Sequence, residues 1–278
     1  GAAKAPPMPE SSWPSADRAG KFPALGAFND VMGQEHQRAE ADQPGTAAGL
    51  TLPVAFFGHG SPMNALETNR YTQAWRSFGE SVGRPKGIVA VSAHWYTDRT
   101  AVTAMARPET IHDFYGFPED LYRVRYDAPG DPELAARVAE IARPVRVEQD
   151  DRSWGIDHGA WTVLRHAFPA ADIPVVQISI NACEPFEYHF QLGTRLAALR
   201  REGILVLASG NVVHNLRAID RRQPEGAFVW NEAFDEATQR VLCERPDAVV
   251  ALAERTEFSQ AAPSPDHFIP LLYVAGVA

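Results

Sequence analysis

The sequence predicts an α/β fold, a mostly parallel central sheet flanked by helices. Three observations predict it. From residue 51 onward, short apolar runs alternate with helical stretches, the pattern of strands joined by crossover helices. The runs are apolar at successive positions, as strands covered on both faces must be. Histidines follow several of the runs. An open sheet gathers its strand ends into one crevice, so the active site is expected at the strand carboxyl ends.

The elements follow in order. Residues 52–57 form a first apolar run, ended by Gly58. A helical stretch at 71–82 leads to a second strand at 87–92, where Ile88 to Val91 are all apolar. A helix at 132–142 opens on Asp131 as N-cap, with Pro132 at the first helical position. Helical stretches at 161–167, 185–201 and 230–244 frame two further strands, 175–180 and 204–208. Ser264-Pro265-Asp266 repeats the start signal ahead of Leu271, which puts His267 in the first turn of a last helix.

Composition narrows the classes. With 278 residues and 45% hydrophobic content, the chain can bury a full core. A formal net charge of −9 argues against nucleic acid and anionic membrane as partners. The apolar stretch at 268–278 is too short to span a bilayer, so no transmembrane helix is expected. Cys183 and Cys243 are read as small buried hydrophobes, since two cysteines make neither a scaffold nor a zinc site. Residues 1–50, rich in Pro, Ala, Ser and charge, are expected to be an extended or partly ordered N-terminal extension, with 22–32 the piece able to dock. Residues 51–278 are expected to form one domain. A cytoplasmic location is favoured; the Gly1-Ala2-Ala3 start also suits a tag remnant or a periplasmic protein after signal removal.

Histidines carry the chemical signal. His59 stands between Gly58 and Gly60 where the first strand ends, and glycines on both sides allow unusual backbone angles. His94 follows the second strand and His214 the fourth, after a Ser209-Gly210-Asn211 turn. Asn211 and Asn215 are placed to fix the His214 tautomer. Asp266 can orient His267. His158 sits in Gly155-Ile156-Asp157-His158-Gly159, as a proton donor or substrate contact, and His112 in an aromatic segment with Phe114, Tyr115 and Phe117. His36, His166 and His189 read as solvated or helix-face residues, and Arg125 and Arg217 as solvated. There is no Gly-x-Ser-x-Gly elbow, no Gly-rich phosphate cradle and no His-Glu-x-x-His helix. Histidine is the commonest metal-binding side chain, so a metal site assembled from distant segments fits best.

Taken together, Gly58-His59-Gly60-Ser61-Pro62-Met63-Asn64, Ser92-Ala93-His94-Trp95, Thr110-Ile111-His112-Asp113-Phe114, Gly155-Ile156-Asp157-His158-Gly159, Ser209-Gly210-Asn211-Val212-Val213-His214-Asn215 and Pro265-Asp266-His267-Phe268 resemble the class III extradiol ring-cleaving dioxygenases, in their 4,5-DOPA dioxygenase-like branch. The resemblance implies ring opening of a catechol by O₂ at a non-haem metal. It implies His59, His94 and His267 as metal ligands, with His214 as acid/base or a fourth ligand. His158 is implied as a catalytic histidine on the substrate side, and His112, Asp157 and Asn215 as substrate contacts. Fe(II) is expected for activity, and Zn(II) can occupy such a site. A small aromatic substrate and O₂ are the expected partners. The family also implies a further terminal strand beyond Ala278. Two other classes fit the same histidines: a zinc-dependent hydrolase, and a non-catalytic binding protein that keeps the fold.

Overall fold

The protein, seen in a computed structural model, is described for residues 51–220, 222 and 226–278. The expected N-terminal extension at 1–50, with its docking piece and His36, lies outside the described residues. Among the described residues six strands form one sheet in the order β1-β6-β2-β5-β3-β4. They are β1 Val54–Gly58, β2 Gly87–Thr97, β3 Ala101–Thr103, β4 Glu148–Asp150, β5 Val175–Asn181 and β6 Ile204–Gly210. The helices are α1 Arg70–Val82, α2 Glu119–Tyr122, α3 Pro132–Ile141, α4 His158–Ala167, α5 Phe186–Leu196, α6 Val229–Glu244, α7 Phe258–Ala261 and α8 Ile269–Val277.

The four expected strands are β1, β6, β2 and β5, and each pairs parallel to its neighbour. Their side chains alternate between two cores. Val89, Val91, Val206 and Ala208 face the layer of α3, α5, α6 and α8. Ile88, Ala90, Leu205 and Leu207 face the layer of α1 and α4, against Trp75, Trp161 and Leu164. Two apolar faces on one strand explain why the sequence shows runs instead of alternation. Strands β3 and β4 escape the sequence reading. Each is three residues long, too short to carry a period, and β3 runs antiparallel to β5.

Several expectations change in detail. The 185–201 helix ends at Leu196 and tightens into a 3-10 turn, Ala197–Glu202, closed by Gly203 at φ 84°. The 161–167 helix starts earlier, at His158, because the Asp157 side chain accepts the Ala160 N–H and caps it. The last helix starts later: His267 lies in the turn before α8, where the Pro265 carbonyl accepts the Phe268 and Ile269 N–H groups. Cys183 and Cys243 are exposed, not buried. His166 and His189 lie on helices α4 and α5, but on buried faces and not in solvent: His166 Nε2–H donates to the Asn64 carbonyl at 2.8 Å, and His189 Nδ1 lies 3.1 Å from the Tyr273 hydroxyl. Helix α8 is apolar on every side and buried almost throughout, as such a helix must be. Among the described residues no helix is long and apolar enough to cross a membrane.

Candidate active site

The sheet order puts β1, β6 and β2 side by side, so their carboxyl ends open into one place. Where β1 runs out, the His59 N–H donates to the Gly210 carbonyl at 3.2 Å and the His59 carbonyl accepts from Asn64 Nδ2 at 2.9 Å. Gly60 then turns the chain at φ 61°. His94 lies within β2, not past its end. Pairing with β5 holds through Val91 and resumes at Tyr96, and the break between them re-aims the side chains of this stretch. His267 is fixed from β6: its carbonyl accepts the Asn211 N–H at 2.9 Å.

These three imidazoles form a nearly equilateral triangle. Ring centroids lie 5.0 Å apart for His59–His94, 5.2 Å for His59–His267 and 5.0 Å for His94–His267. One ligand atom from each lies within 4.8 Å of the other two. The hydrogen bonds fix which atom that is. Ser209 Oγ donates to the Gly159 carbonyl at 2.5 Å, so at 2.8 Å it accepts from His59 Nδ1–H. His94 Nδ1–H donates to Asp113 Oδ2 at 3.1 Å, and His267 Nδ1–H to Asp266 Oδ2 at 2.5 Å. Every Nδ1 carries its proton outward, so every Nε2 is bare. His59 Nε2 and His94 Nε2 face each other at 3.2 Å. Two lone pairs so close repel unless a cation lies between them, a shared proton or a metal ion. The donor set therefore fits a divalent metal.

For His59 and His267 the electrostatics agree. Burial, then the neighbouring histidines, holds the His59 pKa well below the usual imidazole range. Burial also lowers His267, against the pull of Asp266. For His94 burial lowers the pKa, but the Asp113 hydrogen bond and nearby carboxylates outweigh it and the net direction is upward. Burial would raise Asp113, yet its bonds to His158 and His94 hold it far down as a carboxylate.

His214 stacks on His267, with centroids 3.5 Å apart and 7° between planes. Burial, then His267, pushes its pKa down to about 3. Neither expected asparagine fixes its tautomer: Asn215 Nδ2 donates to the Gln260 carbonyl at 2.8 Å, and Asn211 Oδ1 is buried without a partner. His158 packs against His94 with centroids 3.9 Å apart, and its Nδ1 lies 2.9 Å from Asp113 Oδ1, off the line of a good hydrogen bond.

Two expected substrate contacts sit elsewhere. Asp157 has no exposed surface and is saturated by Ser92 Oγ, Gln177 Nε2, Trp154 Nε1 and the Ala160 N–H. It shapes the site from behind and is closed to a substrate. His112 donates Nε2–H to the Val124 carbonyl at 2.9 Å and packs among Phe114, Tyr122 and Trp161. Phe114 packs against both it and His158. Arg125 and Arg217 are solvated, as read. Sequence reasoning passed over Asp113 and Ser209. Both lie inside quoted motifs, and a carboxylate directly after His112 was the available signal.

The chain matches the family described as the catalytic LigB subunit of aromatic ring-opening dioxygenase over residues 55–278. It is 47% identical over 229 residues to 4,5-DOPA dioxygenase extradiol of Escherichia coli (strain K12), covering 81% of this chain and 84% of that protein. Against the protein of the same name from Beta vulgaris the identity is 36%, covering 80% and 85%. A crystal structure of an uncharacterized protein from Escherichia coli K12 superposes with a TM-score of 0.69 at 43% identity, covering 80% of this chain and 87% of that one. These likenesses do not favour the hydrolase or the non-catalytic binder. The site is thus that of a metal-dependent enzyme, and the chain belongs to the LigB family of aromatic ring-opening dioxygenases.

Proposed function

We propose that this extradiol dioxygenase opens the ring of a DOPA-like catechol with O₂, using iron(II) held by His59, His94 and His267. The observation that carries the ligand set is the triangle of bare Nε2 atoms, each with its Nδ1 proton tied off. The substrate class rests on relatives named for 4,5-DOPA. Iron supplies Lewis acidity toward the catechol oxygens and a redox centre for O₂. Zinc binds the same donors and leaves only the Lewis acidity.

The chain's residues do the rest. His214, flat against His267, is placed to accept the catechol proton and return it on ring opening. His158, wedged against His94, presents its ring to oxygen charge that develops during the reaction. Asn215 Oδ1 remains available to a substrate hydroxyl, since only the amide nitrogen is engaged. Phe114, packed against His158, keeps bulk water off the ring.

Anaerobic reconstitution with Fe(II), followed by L-DOPA and simple catechols in air, tests this reading. O₂ uptake with a yellow ring-opened product, absent from the zinc-loaded protein, is expected. In His214→Ala, bound iron is retained and turnover falls by about 10²–10⁴-fold. Loss of iron in that variant would make His214 a ligand and overturn its acid/base role. No uptake with any catechol at one iron per chain would overturn the substrate.

A further inference from the structure

Two of the three metal-facing histidines are steered by a helix end that carries none of them. The Ser209 hydroxyl, acceptor for His59, is itself anchored on the Gly159 carbonyl. Asp113, acceptor for His94, receives the His158 backbone N–H on its other oxygen at 3.0 Å. The Ser92 hydroxyl donates to Asp157 Oδ1 at 2.6 Å, and its oxygen accepts the His94 N–H at 3.3 Å. Gly159 lets the turn come this close. A Cβ there would lie 2.5 Å from Ser92 Oγ and 2.7 Å from His94 Cδ2.

We infer that the first turn of α4, residues 157–159, acting through Ser209 and Asp113, is the positioning device of the metal centre: it dictates that His59 and His94 both present a bare Nε2. Asp113 and Ser209 are positioning residues, since each acts through a histidine. The inference rests on the ligand set proposed above. It goes further, because it places control of metal affinity in a helix that supplies no ligand.

Asp113→Asn isolates the effect. The His158 N–H requires an acceptor, so the amide oxygen stays on that side. The amide NH₂ then faces His94 Nδ1, where the carboxylate had accepted. Two donors cannot share a hydrogen bond, so the His94 proton moves to Nε2 and the metal-facing lone pair is lost. Ser209→Ala removes the acceptor for His59 in a different way, with almost no change of shape.

Zn(II) affinity is measured by chelator competition on folded protein. Imidazole tautomers are read in the metal-free protein by nitrogen-detected NMR. Asp113→Asn and Ser209→Ala are each expected to weaken zinc binding by about 10–100-fold. The His94 proton is expected on Nδ1 in the parent and on Nε2 in Asp113→Asn. Asp172→Asn, in the exposed pair with Arg84, is expected to change neither readout. A merely structural role would lower the melting temperature and leave tautomer and affinity alone, which overturns the inference. His59→Ala separates the two levels. If it abolishes zinc binding while Asp113→Asn and Ser209→Ala bind within twofold of the parent, the positioning inference fails alone. If His59→Ala binds zinc as the parent does, the ligand set fails and the inference with it.

Discussion

Gly210→Ala probes how rigidly β6 sets His267, the third proposed ligand. Gly210 ends β6 and lies directly under the turn that carries His267. A Cβ added there would stand 2.2 Å from the His267 carbonyl oxygen and 3.2 Å from Pro270 Cγ. The obstructing atom is backbone, so no rotamer relieves the clash. The turn must retreat by about 0.8 Å to restore a 3.0 Å contact. That movement also stretches the Asn211 N–H bond to the same carbonyl, now 2.9 Å. Overpacking of this kind costs about 1–3 kcal/mol of stability. A misplacement approaching 1 Å in a reacting constellation costs about 10²-fold in rate. Gly193→Ala is the matched comparison. Its Cβ would stand 2.3 Å from the Tyr273 carbonyl, crowding the same helix α8 away from the ligand. Denaturant melts and O₂ uptake after iron reconstitution are measured on both variants. Both should lose stability, and Gly210→Ala alone should lose about 10²-fold in turnover per folded, iron-loaded chain. Equal turnover in the two variants would refute the claim that the β6 end positions His267.

Two further predictions concern the scaffold. Asp131 caps α3 by accepting the Glu133 and Leu134 N–H groups at 3.0 Å each, so Asp131→Ala should cost about 1 kcal/mol in denaturant melts and leave kcat unchanged. Burial pushes the His189 pKa down to about 4 from an ordinary value of 6.5, so between those values the unfolded chain binds the extra proton and stability falls as pH drops. The loss reaches about 3 kcal/mol by pH 4, and His189→Leu should remove that part of the slope in melts from pH 7 to 4; an unchanged slope would contradict the burial argument.

The parts of the fold that were legible in the sequence are those where one physical demand dominates. Strands buried on both faces had to be apolar runs, and they were read within a few residues. The Asp131-Pro132 start of α3 was legible because capping is local. Strands β3 and β4 were not, since their pairing depends on partners far away in sequence. The histidines were visible by residue type and by their place beyond apolar runs. Their supports were not, because a hydroxyl such as Ser209 or a carboxylate such as Asp113 acquires its meaning only from what it touches. The same blindness misplaced Asp157. Its flanking motif suggested substrate contact, but four donors close around it inside the protein. Burial of His189 was equally hidden, because a helix face shows its neighbour only after packing.

The three proposed ligands also differ in how they are held, and this has consequences for metal loss. His267 is tied by its own neighbour in sequence, Asp266, so that bond survives local movement of the turn. His59 and His94 depend on contacts with the first turn of α4, through Ser209 and Asp113. Losing either contact loosens the shared helix end, so the two positions are coupled through one element. Residues that share partners in this way depart from additivity by about 0.5–3 kcal/mol. A double variant, Asp113→Asn with Ser209→Ala, therefore weakens zinc binding by less than the product of the single effects. Once the helix end has released one histidine, the second has less order left to lose. Independent clamps on each ligand would multiply instead.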